Sequence, residues 1–156
     1  MSSRRDFFSF LRSEQKSVKP LHAPYFNVLK KDICLSCETN SCVNACTEKI
    51  LKVSADKTPI LDFTNSGCTF CNDCANACEY GVMDGADKIA ANFEIAPLSC
   101  LAWNRTMCMS CLDACNEKAI KFSALFYPKI ELSSCTACGF CIGRCPSNAI
   151  TYKEQI

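Results

Sequence analysis

Residues 68–78 read "CTFCNDCANAC" and residues 135–146 read "CTACGFCIGRCP". They set Cys68, Cys71, Cys74 and Cys78, and again Cys135, Cys138, Cys141 and Cys145, in the order C-x2-C-x2-C-x3-C. Three cysteines so close together wrap a tight loop, bringing three thiolates to three irons of one 4Fe–4S cube. The loop's amides can then point at the cluster sulfurs. The fourth cysteine is expected to start a short helix that carries it away from that cube.

Two more groups repeat the pattern less regularly. In "CLSCETNSCVNAC", residues 34–46, four residues separate Cys37 from Cys42, with Cys34 before and Cys46 after. A two-residue insertion in a solvent-facing loop costs little closure entropy. In "SCLAWNRTMCMSCLDAC", residues 99–115, Cys108, Cys111 and Cys115 keep their spacing, but seven residues separate Cys100 from Cys108. Either the site is complete with an enlarged loop, or Cys100 is a buried free thiol and the site is missing or holds three irons. The thiol census favours the complete site: 16 cysteines supply four cubes with none left over. The last cysteines of the four groups lie 32, 37 and 30 residues apart, an internal repeat that organises the chain after residue 33.

In two-cluster bacterial ferredoxins the fourth cysteine of such a run ligates the other cluster of the pair, and here Cys145 is followed by Pro146. The spacers "KILKVSADKTPILDF" and "KAIKFSALFYPKIEL" both read as β-hairpins joining two groups. "EYGVMDGADKIAANFEIAPLS" is less regular and fits a connection between modules, and "NAITYKEQI" reads as a final strand. The expected fold is α+β, with tandem bacterial-type 2[4Fe-4S] ferredoxin modules. A tail spans residues 1–33, the first module 34–84 and the second 85–156. Adjacent pairing assigns Cys34, Cys37, Cys42 and Cys78 to one cube, and Cys68, Cys71, Cys74 and Cys46 to the next. It then assigns Cys100, Cys108, Cys111 and Cys145 to a third, and Cys135, Cys138, Cys141 and Cys115 to a fourth. Nested pairing, first group with fourth and second with third, is the alternative.

So many thiols also suit a disulfide scaffold or zinc. Disulfides need export. "SRRDFF" near the N-terminus looks like a twin-arginine motif, but "SEQKSVKPLHAP" follows it with no apolar run. No stretch approaches the roughly 18 apolar residues of a membrane-spanning helix. Export is therefore not expected, and the disulfide reading falls with it. Zinc sites use paired C-x2-C units with four ligands per ion, whereas here three cysteines crowd into seven residues and the only histidine is His22. With 17 basic and 16 acidic side chains mixed along the chain, no nucleic-acid footprint is present. A cube with its four thiolates carries about −2, so four would move the formal charge from +1 to about −7. With cysteine set aside the apolar core is thin, and the metal-free chain is expected to be largely unfolded.

Over nearly its whole length the sequence resembles the NapF-type ferredoxins, accessory proteins of bacterial periplasmic nitrate reductase systems. The resemblance is most specific at the stretched third group, with its "CLA"-plus-aromatic start at Cys100 to Trp103, and at Ser3, Arg4 and Arg5. The four-residue gap of the first group departs from the pattern, and no proline follows Cys46, Cys78 or Cys115. These departures touch loop detail rather than ligands. The resemblance implies a cytoplasmic protein with four [4Fe-4S] clusters that meets the nitrate reductase catalytic subunit as a precursor. There it would assist maturation or deliver electrons, and it would not itself be an enzyme. A general electron-transfer ferredoxin, or the electron-wire subunit of another oxidoreductase, is the alternative. No catalytic acid–base or nucleophile arrangement is evident.

Residues 4–12, "RRDFFSFLR", read as a helix with Phe7, Phe8 and Leu11 on one side and basic residues at its flanks. Its functional reading is docking to a partner, or transient contact with an anionic membrane surface through Arg4–Arg12; its plainer reading is a tail. Trp103 is expected to fill the core of the enlarged loop, and His22 to be a solvated loop residue.

Overall fold

The computed structural model describes residues 20–154. The readings placed on residues 4–12 lie outside them. A 3₁₀ segment, Val28–Ser36, comes first, capped by the Asn27 side chain, which accepts from the Leu29 amide at 3.1 Å. Four one-turn helices follow at intervals: α1 Ser41–Asn44, α2 Asp73–Asn76, α3 Ser110–Asp113 and α4 Phe140–Gly143. Such helices are far too short to persist by themselves, so their surroundings hold them. In each, the third cysteine of its group sits within the helix and the fourth lies two residues beyond its end. The helix thus spans the gap between the two rather than starting at the fourth.

Six strands make three antiparallel pairs. β1 (Leu51–Val53) pairs with β2 (Pro59–Leu61), and β4 (Ile120–Ser123) with β5 (Phe126–Ile130). These are the two hairpins expected from the spacers. Around the first turn the Ser54 amide donates to the Thr58 carbonyl at 3.0 Å, and the Thr58 hydroxyl donates to the Asp56 carboxylate at 2.7 Å. The second carries a bulge between Phe122 and Ser123. The third pair joins β3 (Ala91–Ile95) to the C-terminal β6 (Ile150–Glu154), with Phe93 opposite Tyr152. β3 lies inside the segment taken for a connector. It closes the second half of the chain on itself, end to end.

One hydrophobic core runs through both halves. Leu21, Ile50, Leu61, Phe63, Val82 and Ile89 belong to it, as do Phe93, Ile120 and Ile150. The Phe63 and Phe93 rings meet edge to face at 6.0 Å across the middle. The N-terminal segment joins in: Leu21, Ala23, Tyr25 and Phe26 are buried, and Leu21 accepts from the Leu61 amide at 2.7 Å. Residues 21–26 therefore pack as core. His22 is likewise no solvated loop residue. It bridges to Ile60 and stacks on Phe26, with ring centroids 4.7 Å apart. A smaller core of Cys100, Ala102 and Ala149 lies under the enlarged loop. Among the described residues no helix is long and apolar enough to cross a membrane.

Candidate iron–sulfur sites

All sixteen cysteines are free, and only Cys71 is exposed. They line four separate cavities of about 400, 380, 320 and 340 Å³, open space at the mouth included. Site 1 gathers Cys34, Cys37, Cys42 and Cys78. Site 2 gathers Cys46, Cys68, Cys71 and Cys74. Site 3 gathers Cys100, Cys108, Cys111 and Cys145, and site 4 gathers Cys115, Cys135, Cys138 and Cys141. Each cavity thus receives three thiols from one group and a fourth across a one-turn helix from its neighbour. In these four cavities the thiols stand in the adjacent grouping. Among the described residues no three His, Cys, Asp or Glu side chains are placed around a point where one ion could sit. A zinc ion needs its sulfurs about 2.3 Å away, all around one point. Thiols ringing an apolar hollow instead fit a cube of several irons.

The backbone around the thiols follows one plan. Three residues after each fourth cysteine the chain takes the left-handed conformation, at Lys49, Gly81, Lys118 and Asn148. There its amide donates to the carbonyl of that cysteine at 3.1–3.2 Å. In the two uninterrupted groups the middle cysteine is flanked by left-handed residues, Phe70 and Asn72 around Cys71, Ala137 and Gly139 around Cys138. Such turns rotate successive amides to one side and make an anion-binding concavity. Amides of Phe70, Ala119 and Ala149 donate to the sulfurs of Cys68, Cys115 and Cys145 at 3.4, 3.3 and 3.2 Å. At Cys68 and Cys145 these donors favour thiolate over thiol.

Burial opposes such donors. It pushes the thiols of Cys42, Cys74 and Cys111 up to about 11 and that of Cys141 up to about 12, with neighbouring thiols adding to each shift. These are the third cysteines of the four groups, the ones carried by helices. Burial also raises Cys34, Cys68 and Cys135. Cys145 goes the other way. Burial acts on it too, but the amides of Ala149, Ser147 and Ile150 and the Ser147 hydroxyl outweigh it.

The enlarged loop of site 3 is a compact turn. Cys100 is buried, and its amide donates to the Ala96 carbonyl at 3.0 Å. The Asn104 side-chain amide donates to the carbonyls of Cys100, Pro97 and Leu98 at 2.8, 3.1 and 3.3 Å. Trp103 reaches outward as well as inward. Its Nε1 donates to the Pro128 carbonyl at 3.1 Å, and its ring meets Tyr127 edge to face at 5.1 Å, tying the loop to β5. Sequence reasoning singled out Trp103 but not Asn104, although an asparagine inside an inserted loop is a recognisable turn-former. It also missed Tyr25, whose hydroxyl donates to the Phe70 carbonyl at 3.2 Å beside site 2.

The family model described as a 4Fe-4S dicluster domain matches residues 104–149. The chain is 35% identical over 126 residues to the "Ferredoxin-type protein NapF" of Escherichia coli K12, covering 77% of this chain and 75% of that protein. It is 32% identical to the protein of the same description from Haemophilus influenzae, covering 78% and 70% respectively. With four-thiol cavities, short hairpins and one-turn helices already in place, this kinship identifies the chain as a 4Fe–4S protein that belongs to the NapF-type ferredoxins.

Proposed function

We propose that each of the four cavities holds one [4Fe-4S] cluster, ligated by the four cysteines that line it, in two modules spanning residues 34–84 and 85–156. The observation that carries this reading is the exchange of the fourth cysteine: Cys46 and Cys78 cross within the first module, Cys115 and Cys145 within the second. The cluster supplies reversible one-electron transfer. The chain's own residues supply the thiolates, the sulfur-directed amides of Phe70, Ala119 and Ala149, and apolar walls that keep water out. Site 2 is walled by Ile50, Leu51, Leu61 and Phe70.

On this reading the chain is an electron-carrying accessory protein rather than an enzyme. It works in the cytoplasm on the catalytic subunit of a periplasmic nitrate reductase, before that subunit is exported, by helping mature it or by delivering electrons to it. Kinship with proteins described as NapF supports the assignment. Anaerobically purified protein is expected to be brown with about 16 irons per chain. It should also co-purify with a signal-bearing nitrate reductase precursor. Co-purification only with a hydrogenase or dehydrogenase would transfer the chain to the general electron carriers.

A further inference from the structure

Sites 2 and 4 belong to different modules, yet their ligand loops touch. The Cys68 amide donates to the Cys138 carbonyl at 2.6 Å. Cys138 is also among the charges that act on the Cys68 thiol. Glycines make the approach possible. A Cβ on Gly67 would lie 2.5 Å from the Phe140 amide nitrogen and 2.7 Å from the Cys138 carbonyl oxygen, both rigid backbone atoms. A Cβ on Gly139 would run into the Phe63 ring, and one on Gly143 would lie 2.9 Å from the Phe63 carbonyl oxygen. All three glycines of the two modules' meeting surface are placed where no side chain fits.

From this contact we propose that the Cys68–Cys138 peptide bridge is the electron crossing between the modules. It makes one relay of the molecule, in the order site 1, site 2, site 4, site 3, with Gly67 as the positioning residue that holds the crossing closed. The inference rests on the cluster assignment above. The order follows from the contacts: helices α1 and α2 join sites 1 and 2 by shared ligand groups, α3 and α4 join sites 3 and 4, and among the described residues only the Cys68–Cys138 loops join the two halves through ligand backbone. With clusters held by the two loops, the crossing would pass one electron from the site beside Cys68 to the site beside Cys138, one being oxidised as the other is reduced. No bond to iron breaks, and no proton moves. Electron tunnelling falls off exponentially with separation, so direct contact between two ligand residues favours this route.

The test uses the full chain with sites 1 and 3 removed by C34S, C37S, C100S and C108S, which should leave about eight irons. After reduction with dithionite, the electron paramagnetic resonance signals of sites 2 and 4 are expected to be split or broadened by one another. Adding G67A, which pushes the two loops apart, should narrow that splitting while iron stays at about eight. Two sharp, independent signals from the variant with Gly67 intact would overturn the crossing and leave the cluster assignment standing. Iron far below 16 in the unaltered protein would overturn both. Should the fourfold variant fail to hold iron, C34S/C37S alone serves. Its site 2 signal must then split when the second module is reduced, and a signal indifferent to that reduction rejects the crossing.

Discussion

At the scale of single residues, Cys100 carries the sharpest test. It is buried against Ala102 and Ala149 and lines one cavity with Cys108, Cys111 and Cys145. Cys100→Ala is expected to lower iron from about 16 to about 12 per chain, or to produce a three-iron paramagnetic signal. Unchanged iron would make it a bystander. Cys71 differs from the other fifteen thiols in being exposed, which places site 2 first in line for oxygen. Brief air exposure followed by alkylation should label Cys46, Cys68, Cys71 and Cys74 ahead of the rest, as mass spectrometry of the peptides would show. The raised thiols set a pH dependence as well. Ligation requires thiolate, and burial pushes the thiols of Cys42, Cys74, Cys111 and Cys141 up to about 11 or 12. Protons therefore compete with iron, so loading strengthens as pH rises and weakens as it falls. Anaerobic reconstitution in weakly buffered solution should release up to 16 protons per chain from the thiols, beyond those lost by the added hydrosulfide in a protein-free control, readable with an indicator dye.

At the scale of elements, the enlarged loop and its tie to β5 are expected to govern how long site 3 keeps its iron. Trp103→Phe retains the ring against Tyr127 but removes the hydrogen bond to the Pro128 carbonyl, worth about 1 kcal/mol. Iron loss to a chelator from site 3 should quicken about fivefold, a 1 kcal/mol effect expressed as a ratio. What could be read from the sequence divides along the same lines. The hairpins β1–β2 and β4–β5 were legible because their pairing is local and each spans a polar turn between two apolar runs. β3 was not. Its partner β6 lies 59 residues on at Glu94 and Lys153, joined there by an ion pair, and nothing in "ANFEI" names so distant a partner. Residues 21–26 were missed for a related reason. Their burial depends on Leu61 and Gly85, which hydrogen-bond to Leu21 and Tyr25 from far along the chain. The cysteine groups were legible because ligand spacing is a local property. The glycine contacts at Gly67 and Gly139 were not, since a close approach between two loops leaves no mark on either one.

At the scale of the whole molecule, four cubes would turn a nearly neutral chain into an anion of about −7. The loaded protein should bind an anion exchanger that lets the metal-free chain pass, and ion-exchange elution would record the difference. The continuous core has a further consequence, in the language of titration rather than of structure. Sites that share one apolar interior, and touch through Cys68 and Cys138, are poorly screened from one another. Each electron taken up adds negative charge that the next must meet, so uptake is anticooperative even if the four sites are intrinsically alike. A reductive titration followed by the fading of the brown colour should therefore spread over a wider range than a single one-electron wave. The molecule would act less as four identical stores than as a graded one, filling at successively lower potentials.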